Sequence, residues 1–175
     1  MSTTSTPEHL ANLPEVDAST MRSVLGHFAT GVIAITAFDP TTGQGAGLAA
    51  NSFTSVSLDP PLVAFCVAHT SSSWPAIKRA ETFVINILAE DQEHVGRKLA
   101  VKGGDKFAGL AWNPSPSGAP IVEDAVAWIE ARIEAEHIAG DHVIVVSRVL
   151  HLYADDRTPL LFHKGKYGRL HLAAD

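Results

Sequence analysis

Asn51-Ser52-Phe53-Thr54-Ser55-Val56-Ser57 puts one amide and four hydroxyls into seven residues and leads into Leu58-Asp59-Pro60-Pro61. An amide both donates and accepts, and a hydroxyl does either, so the run can offer a dense row of partners to a polar ligand. By composition alone the simpler reading is a Ser/Thr-rich edge strand entering a turn. Covalent chemistry has no comparable foothold. Ser, His and Asp occur, but no local spacing assembles them into a triad. P-loop, nucleophile-elbow and H-E-x-x-H patterns are missing. The nine histidines are scattered, His137 and His142 lack helical ligand spacing, and there is one cysteine, so no metal site is expected. Cys66, inside Leu62-Val63-Ala64-Phe65-Cys66-Val67, reads as a small buried hydrophobe. It can form no disulfide within the chain, which suits a reducing cytoplasm.

Gly45-Ala46-Gly47-Leu48-Ala49-Ala50 matches the dinucleotide fingerprint G-x-G-x-x-A, but its context is wrong. That site needs a helix opening at the glycines and an acid about 20 positions on for the ribose. Here the poor helix former Asn51-Ser52-Phe53-Thr54-Ser55 follows, and residues 67–71 hold no acid. Small residues in a twisted strand account for the glycines.

The elements that must position these residues are mostly strands. Asp17, Ser19 or Thr20 can cap a short helix carrying Met21, Val24, Leu25 and Phe28 at helical spacing, ended by Gly31. Residues 32–38, 62–68 and 83–88 are apolar strands, and residues 45–57 form a small-residue strand running into hydroxyl-rich sequence. Residues 71–80 begin a short helix, with Pro75 in its first turn. Residues 90–100 form a surface helix, and residues 101–118 a Gly/Pro-rich loop long enough to be functional.

Residues 126–137 carry Glu and Ala, which favour helix. Yet Ala127, Ile129, Ala131, Ile133 and Ala135 alternate with Trp128, Glu130, Arg132, Glu134 and Glu136. A period of two predicts a strand with one charged and one apolar face. Gly140-Asp141 then allows residues 142–153 to pair back as a hairpin, and residues 160–162 and 167–172 close the chain. Strands joined by turns, with short peripheral helices, predict a mainly β, antiparallel barrel rather than a doubly wound parallel sheet.

The chain's 175 residues suit one domain over residues 17–175, preceded by a mobile Ser/Thr/Pro-rich tail over residues 1–16 without a signal-peptide core. The net charge of −6 argues against broad nucleic-acid binding or an anionic membrane surface, while leaving room for a local phosphate pocket. No stretch approaches membrane-spanning length, so a soluble, cytoplasmic protein is expected.

Several stretches, in chain order, carry a resemblance: Phe28-Ala29-Thr30-Gly31-Val32, residues 49–61, Phe83-Val84-Ile85-Asn86-Ile87-Leu88, Asp105-Lys106-Phe107, Gly118-Ala119-Pro120, Ala139-Gly140-Asp141-His142, and Pro159-Leu160-Leu161-Phe162 through Gly165-Lys166-Tyr167. Together they resemble the flavin reductase family with the FMN-binding split barrel, the small reductase component of two-component flavin-dependent monooxygenases. The resemblance spans nearly everything from Met21 to Leu170. It implies a homodimeric split barrel with FMN or FAD in a groove near the subunit interface, and a separate oxygenase partner.

Carried over by position, Ala50, Asn51, Ser52 and Phe53 would face the isoalloxazine, largely through backbone and amide contacts, with Thr30 near the ring. Ser55 and Ser57 would bond ribityl or phosphate oxygens. Ser71 and Ser72 would head a helix whose free N–H groups suit a phosphate. Lys106 and Phe107 would serve a phosphate or the adenine of FAD. His142 would contact the nicotinamide of NADH or NADPH, and Tyr167 would close over the flavin. Each has a plainer counterpart: helix caps for Ser71 and Ser72, a solvated charge for Lys106, a strand-start polar residue for His142, a core aromatic for Tyr167.

Hydride transfer between two stacked rings needs no protein nucleophile or acid/base residue, only orientation and donors toward the charge that develops on the acceptor. The family's chemistry therefore agrees with the missing triad. A pyridoxamine-phosphate-oxidase-like enzyme on a related barrel, a flavin-binding sensor without catalysis, and a ligand-free structural barrel are the competing readings.

Overall fold

Apolar runs rich in Val, Ile and Phe become strands here, while short segments with apolar residues at helical spacing become three short helices among the described residues. A computed structural model describes residues 13–171. In chain order the elements are α1 (Ala18–Leu25), β1 (Thr30–Gly31), β2 (Ile33–Phe38), β3 (Gly45–Ala50), β4 (Thr54–Leu58), β5 (Pro61–Ala68), α2 (Trp74–Arg79), β6 (Phe83–Ile87), α3 (Glu93–Ala100), β7 (Trp112–Pro114), β8 (Pro120–Val122), β9 (Ala127–Ala139), β10 (His142–Ala154), β11 (Leu160–His163) and β12 (Lys166–Arg169).

Seven strands form one antiparallel sheet in the order β3-β2-β6-β9-β10-β5-β4. Its two edges, β3 and β4, are consecutive in the chain and joined by residues 51–53 alone. A flat sheet would hold those edges about 29 Å apart at ~4.8 Å per strand. From Ala50 to Thr54 the extended chain reaches only about 14 Å. The sheet must therefore roll, and it closes around Ile35, Phe65, Ile77, Phe83, Ile85 and Val145. No ladder joins β3 to β4, so the barrel is split along that seam. A three-stranded sheet, β1-β11-β12, lies outside, and β7 pairs with β8.

The alternation in residues 126–137 proves to be a strand, β9, paired with β10 through the Gly140-Asp141 turn. Gly140 sits at φ +61, where a Cβ would be strained. The expected charged face is not uniformly solvated, however. Glu130 is fully buried, its Oε1 accepting from the hydroxyls of Ser115 and Ser117 and from the Ser117 N–H. Burial alone would raise its carboxyl, but those donors and His151, whose Nε2 lies 3.8 Å from Oε2, hold it below its ordinary value.

Other departures are local. The first helix is capped by Asp17, whose Oδ1 accepts from the Thr20 N–H at 2.6 Å, but it ends at Gly26 rather than Gly31, which belongs to β1. The small-residue run of residues 45–57 splits into β3 and β4. Gly47 lies beneath α3: a Cβ there would meet Leu99 Cδ2 at 2.8 Å. The glycine thus allows helix α3 to lie close on strand β3, where Val95 and Leu99 join Val32, Ala34 and Leu88 in a second apolar cluster. β3 is a strand with no helix opening at its glycines, as the rejected fingerprint required. Leu172 and the first 12 residues of the expected tail lie outside the described residues.

Candidate functional site

The seam leaves a groove of about 410 Å³, within the usual range for small-molecule sites. One part of its wall is the end of β3 with Asn51 and Ser52; others are Cys66 to Ala68 of β5, the Thr70 to Ser73 turn, the end of α3 through Lys102, and His142. Asn51 also borders two neighbouring hollows. One, about 160 Å³, includes Ala49, Ala50, Phe162 and Tyr167. The other, about 300 Å³, includes Phe28, Thr30 and Phe53. Asn51 therefore stands where three hollows meet.

Local pairing explains why the chain opens there. The β2–β3 ladder ends at Ile33 opposite Ala50, and the β4–β5 ladder ends at Thr54 opposite Ala64. Two positions further on, the same register would set residue 52 against Cys66. Instead, the Ser52 side chain occupies that role: its Oγ accepts from the Cys66 N–H at 2.9 Å and donates to the Cys66 carbonyl at 3.2 Å. That hydroxyl is committed to the scaffold. Cys66 is half-buried on the groove wall, less enclosed than its apolar run suggested.

Asn51 differs. Its side-chain amide is exposed and makes no hydrogen bond among the described residues. Nearby, Thr30 Oγ1 is buried without a hydrogen-bond partner among the described residues. An enclosed hydroxyl left unmatched is costly and uncommon in a folded protein. Thr30 and Asn51 both line the hollow of about 300 Å³, although the Thr30 hydroxyl itself is enclosed beneath its surface.

The turn before α2 supplies hydroxyls. Ser71 Oγ accepts from the Trp74 N–H at 3.3 Å, a turn bond ahead of the helix rather than a cap, since Ser73 is the N-cap and makes no side-chain capping bond; Ser71, Ser72 and Ser73 all line the groove. Trp74 anchors the turn, its ring meeting Phe65 edge-on at 5.8 Å. His142 begins β10 opposite Ala68. Its Nδ1 lies 2.8 Å from Asp141 Oδ1, which orients the ring, and Nε2 makes no hydrogen bond among the described residues. Hydrogen bonding and charge attraction from His142, with a smaller pull from His69, keep the Asp141 carboxyl below its ordinary range.

Tyr167 stands at the adjoining hollow, edge-on to Phe162 at 5.3 Å, with the Arg97 guanidinium 4.9 Å from its ring centre. Ser55 and Ser57 lie on edge strand β4 and line neither the groove nor its two neighbours. Lys106 is buried, only 6% exposed, and its Nζ donates to the Val101 carbonyl. Phe107 packs between Phe38, 5.8 Å away, and Trp112, 6.5 Å away, over Gly45. Neither lines the groove.

Thr70, Ser73 and Lys102 were not anticipated. Ser73 extends the hydroxyl run Ser71-Ser72 and was findable; Lys102 carried no signal beyond a charge in a long loop. The lining has one further property. It contains no Asp or Glu, although the chain holds 19 of them. An acid-rich protein thus keeps its carboxylates out of this hollow, whose ionisable lining is His142, Lys102 and Cys66. Such a site suits an anionic ligand.

Residues 25–171 match the flavin reductase like domain family. The chain is 46% identical over 154 residues to a flavin reductase of Pseudomonas putida, covering 87% of this chain and 90% of that protein. It is 42% identical over 153 residues to the reductase subunit HsaB of a flavin-dependent monooxygenase of Rhodococcus jostii, covering 87% and 77% respectively. Among solved structures, the NADH:FAD oxidoreductase SgcE6 of Streptomyces globisporus, in complex with NAD and FAD fragments, superimposes with a TM-score of 0.86. It is 34% identical, with 94% of this chain and 99% of that chain covered.

Proposed function

Because the chain belongs to the flavin reductase like domain family, we propose that its seam groove takes FMN or FAD and that NADH or NADPH reduces the flavin there. The observation that carries the reading is Asn51, an unpaired amide at the meeting of three hollows in a groove without carboxylates. Bound flavin supplies a two-electron acceptor; the chain supplies binding, orientation and exclusion of water.

Asn51 and the Ala50 and Ser52 backbone offer donors and acceptors to the polar edge of the ring, and Thr30 lines the adjoining hollow. Donors held toward charge that develops during hydride transfer stabilise it without reorganising. Phe53 and Tyr167 flank this position with aromatic surface. Ser71 and Ser72 offer hydroxyls to a phosphate. His142, its ring fixed through Nδ1, orients the nicotinamide nucleotide and need not exchange a proton. Ser55, Ser57 and Phe107 are left out of these contacts because none borders the groove.

A second copy of the chain belongs in the same reading. Met21, Val24, Leu25 and Phe28, on and just after α1, are 49–77% exposed, an apolar face that burial against another subunit would remove from water. Phe28 also borders the hollow holding Thr30, so such a partner would complete that wall. The reduced flavin serves a separate oxygenase, as the kinship with a monooxygenase reductase subunit supports. The cytoplasm, where reduced nicotinamide nucleotides are maintained, is the fitting location; no helix among the described residues is long and apolar enough to cross a membrane.

Mixing the protein with FMN or FAD and NADH under argon should bleach the visible flavin band with turnover. Tight flavin binding with no bleaching by either nucleotide would indicate a sensor and overturn the reading.

A further inference from the structure

The end of α3 poses an electrostatic difficulty for a phosphate in this groove. Leu99, Ala100 and Val101 wall it alongside the serine turn. Helix C-termini carry unpaired carbonyls and a partial negative charge, which repel an anion. Two lysines bear on this. Lys102 lines the groove, and no carboxylate among the described residues pairs with it. Lys106 is buried behind the wall and donates to the Val101 carbonyl. Gly103 and Gly104, at φ +75 and +73, reverse the chain between them so that Lys106 can reach back. Asp105 Oδ1 fixes the far side of that turn by accepting from the N–H groups of Phe107 and Ala108, at 2.9 and 3.1 Å.

Resting on the flavin reading above, we propose that Lys102 is the groove's phosphate-binding cation and that Lys106 is a positioning residue acting through it. The Lys106 ammonium caps the Val101 carbonyl and fixes the segment that presents Lys102. A buried ammonium with only a main-chain partner is a costly way to fill space, which an apolar side chain would fill with less desolvation. Burial and the neighbouring Lys98 push its pKa down, the desolvation cost of holding the ammonium there. Lys106 itself does not border the groove, so it reaches the ligand only through the segment it pins.

Flavin fluorescence titrations with FMN and with riboflavin, which shares the ring and ribityl chain but lacks the phosphate, test this. K102A should weaken FMN binding about fivefold more than riboflavin binding, the size expected of a solvent-facing ion pair. K106M should erode the same FMN-to-riboflavin preference, and K102A/K106M should erode it no further than K102A. K106R, which keeps donors near the Val101 carbonyl, should hold the preference within about twofold of wild type; K106Q, too short and uncharged to cap that carbonyl in the same way, replaces K106M if that variant does not fold. An unchanged preference in K102A overturns the proposal, as does a loss in the double variant equal to the two single losses added together. Failure of the wild-type protein to bind FMN would instead overturn the flavin reading.

Discussion

Ser52 occupies the ladder position where β4 leaves β5, and replacing it with alanine isolates what that hydroxyl does. Ser52→Ala leaves the Cys66 N–H and carbonyl without protein partners. Each hydrogen bond contributes about 0.5–1.5 kcal/mol net. Cys66 is half-buried on the groove wall, so water partly replaces the lost partners, and the expected cost is about 1–2 kcal/mol. For a protein of this size that lowers Tm by roughly 3–6 °C. Urea unfolding followed by tryptophan fluorescence, with Trp74 buried beside Phe65, should show a lower midpoint at an unchanged slope. FMN affinity should fall by less than about threefold, because the hydroxyl faces the scaffold. The opposite pattern, stability within ~0.5 kcal/mol of wild type with an approximately tenfold loss of FMN affinity, would refute the assignment and make Ser52 a direct ligand contact.

His142→Ala should raise the KM for the nicotinamide nucleotide severalfold and change kcat little; if steady-state assays show neither parameter moving, His142 has no role in nucleotide binding. Asp39 accepts from Arg79 through both carboxylate oxygens, at 3.2 and 2.6 Å, and its pKa falls from 3.8 to about 2. A lowered carboxyl stabilises the fold in full above 3.8 and loses that contribution as pH falls toward 2. Urea midpoints between pH 6 and 2.5 should therefore drop more steeply in wild type than in Arg79→Met. Glu130→Ala strips the acceptor from Ser115 and Ser117 inside the protein and should cost about 2–4 kcal/mol in thermal unfolding. Glu130→Gln, which keeps one oxygen, should cost markedly less.

Much of the fold was legible because period and propensity disagree in a readable way. In β9 the alternation of Ala127, Ile129, Ala131 and Ile133 with larger polar residues outweighed the helix preference of Glu and Ala, since side-chain period decides which face is buried. The split into β3 and β4 was not legible: Asn51 to Phe53 carry no glycine or proline to mark a corner. The corner arises from barrel closure, a long-range constraint that places these residues across the seam. The burial of Glu130 escaped for a similar reason. Its partners Ser115 and Ser117 lie in a loop whose approach to β9 no local pattern announces.

The same distinction separates the site residues. Asn51 was visible as the amide in a hydroxyl run, and its amide remains free for a ligand. The hydroxyls beside it were equally visible, yet Ser52 braces Cys66 and Ser55 and Ser57 sit on an edge strand beyond the groove. Residue type announces hydrogen-bonding capacity, and only pairing decides whether that capacity serves scaffold or ligand. The electrostatic character of the groove was hidden altogether, because it depends on where carboxylates are absent. Net charge of −6 argues against anionic partners when averaged over the surface. Yet the groove lining holds Lys102 and His142 with no Asp or Glu. A phosphate-bearing flavin and a phosphate-bearing nucleotide would both be drawn to this one hollow against the repulsion of the remaining surface, a local preference that higher ionic strength should weaken.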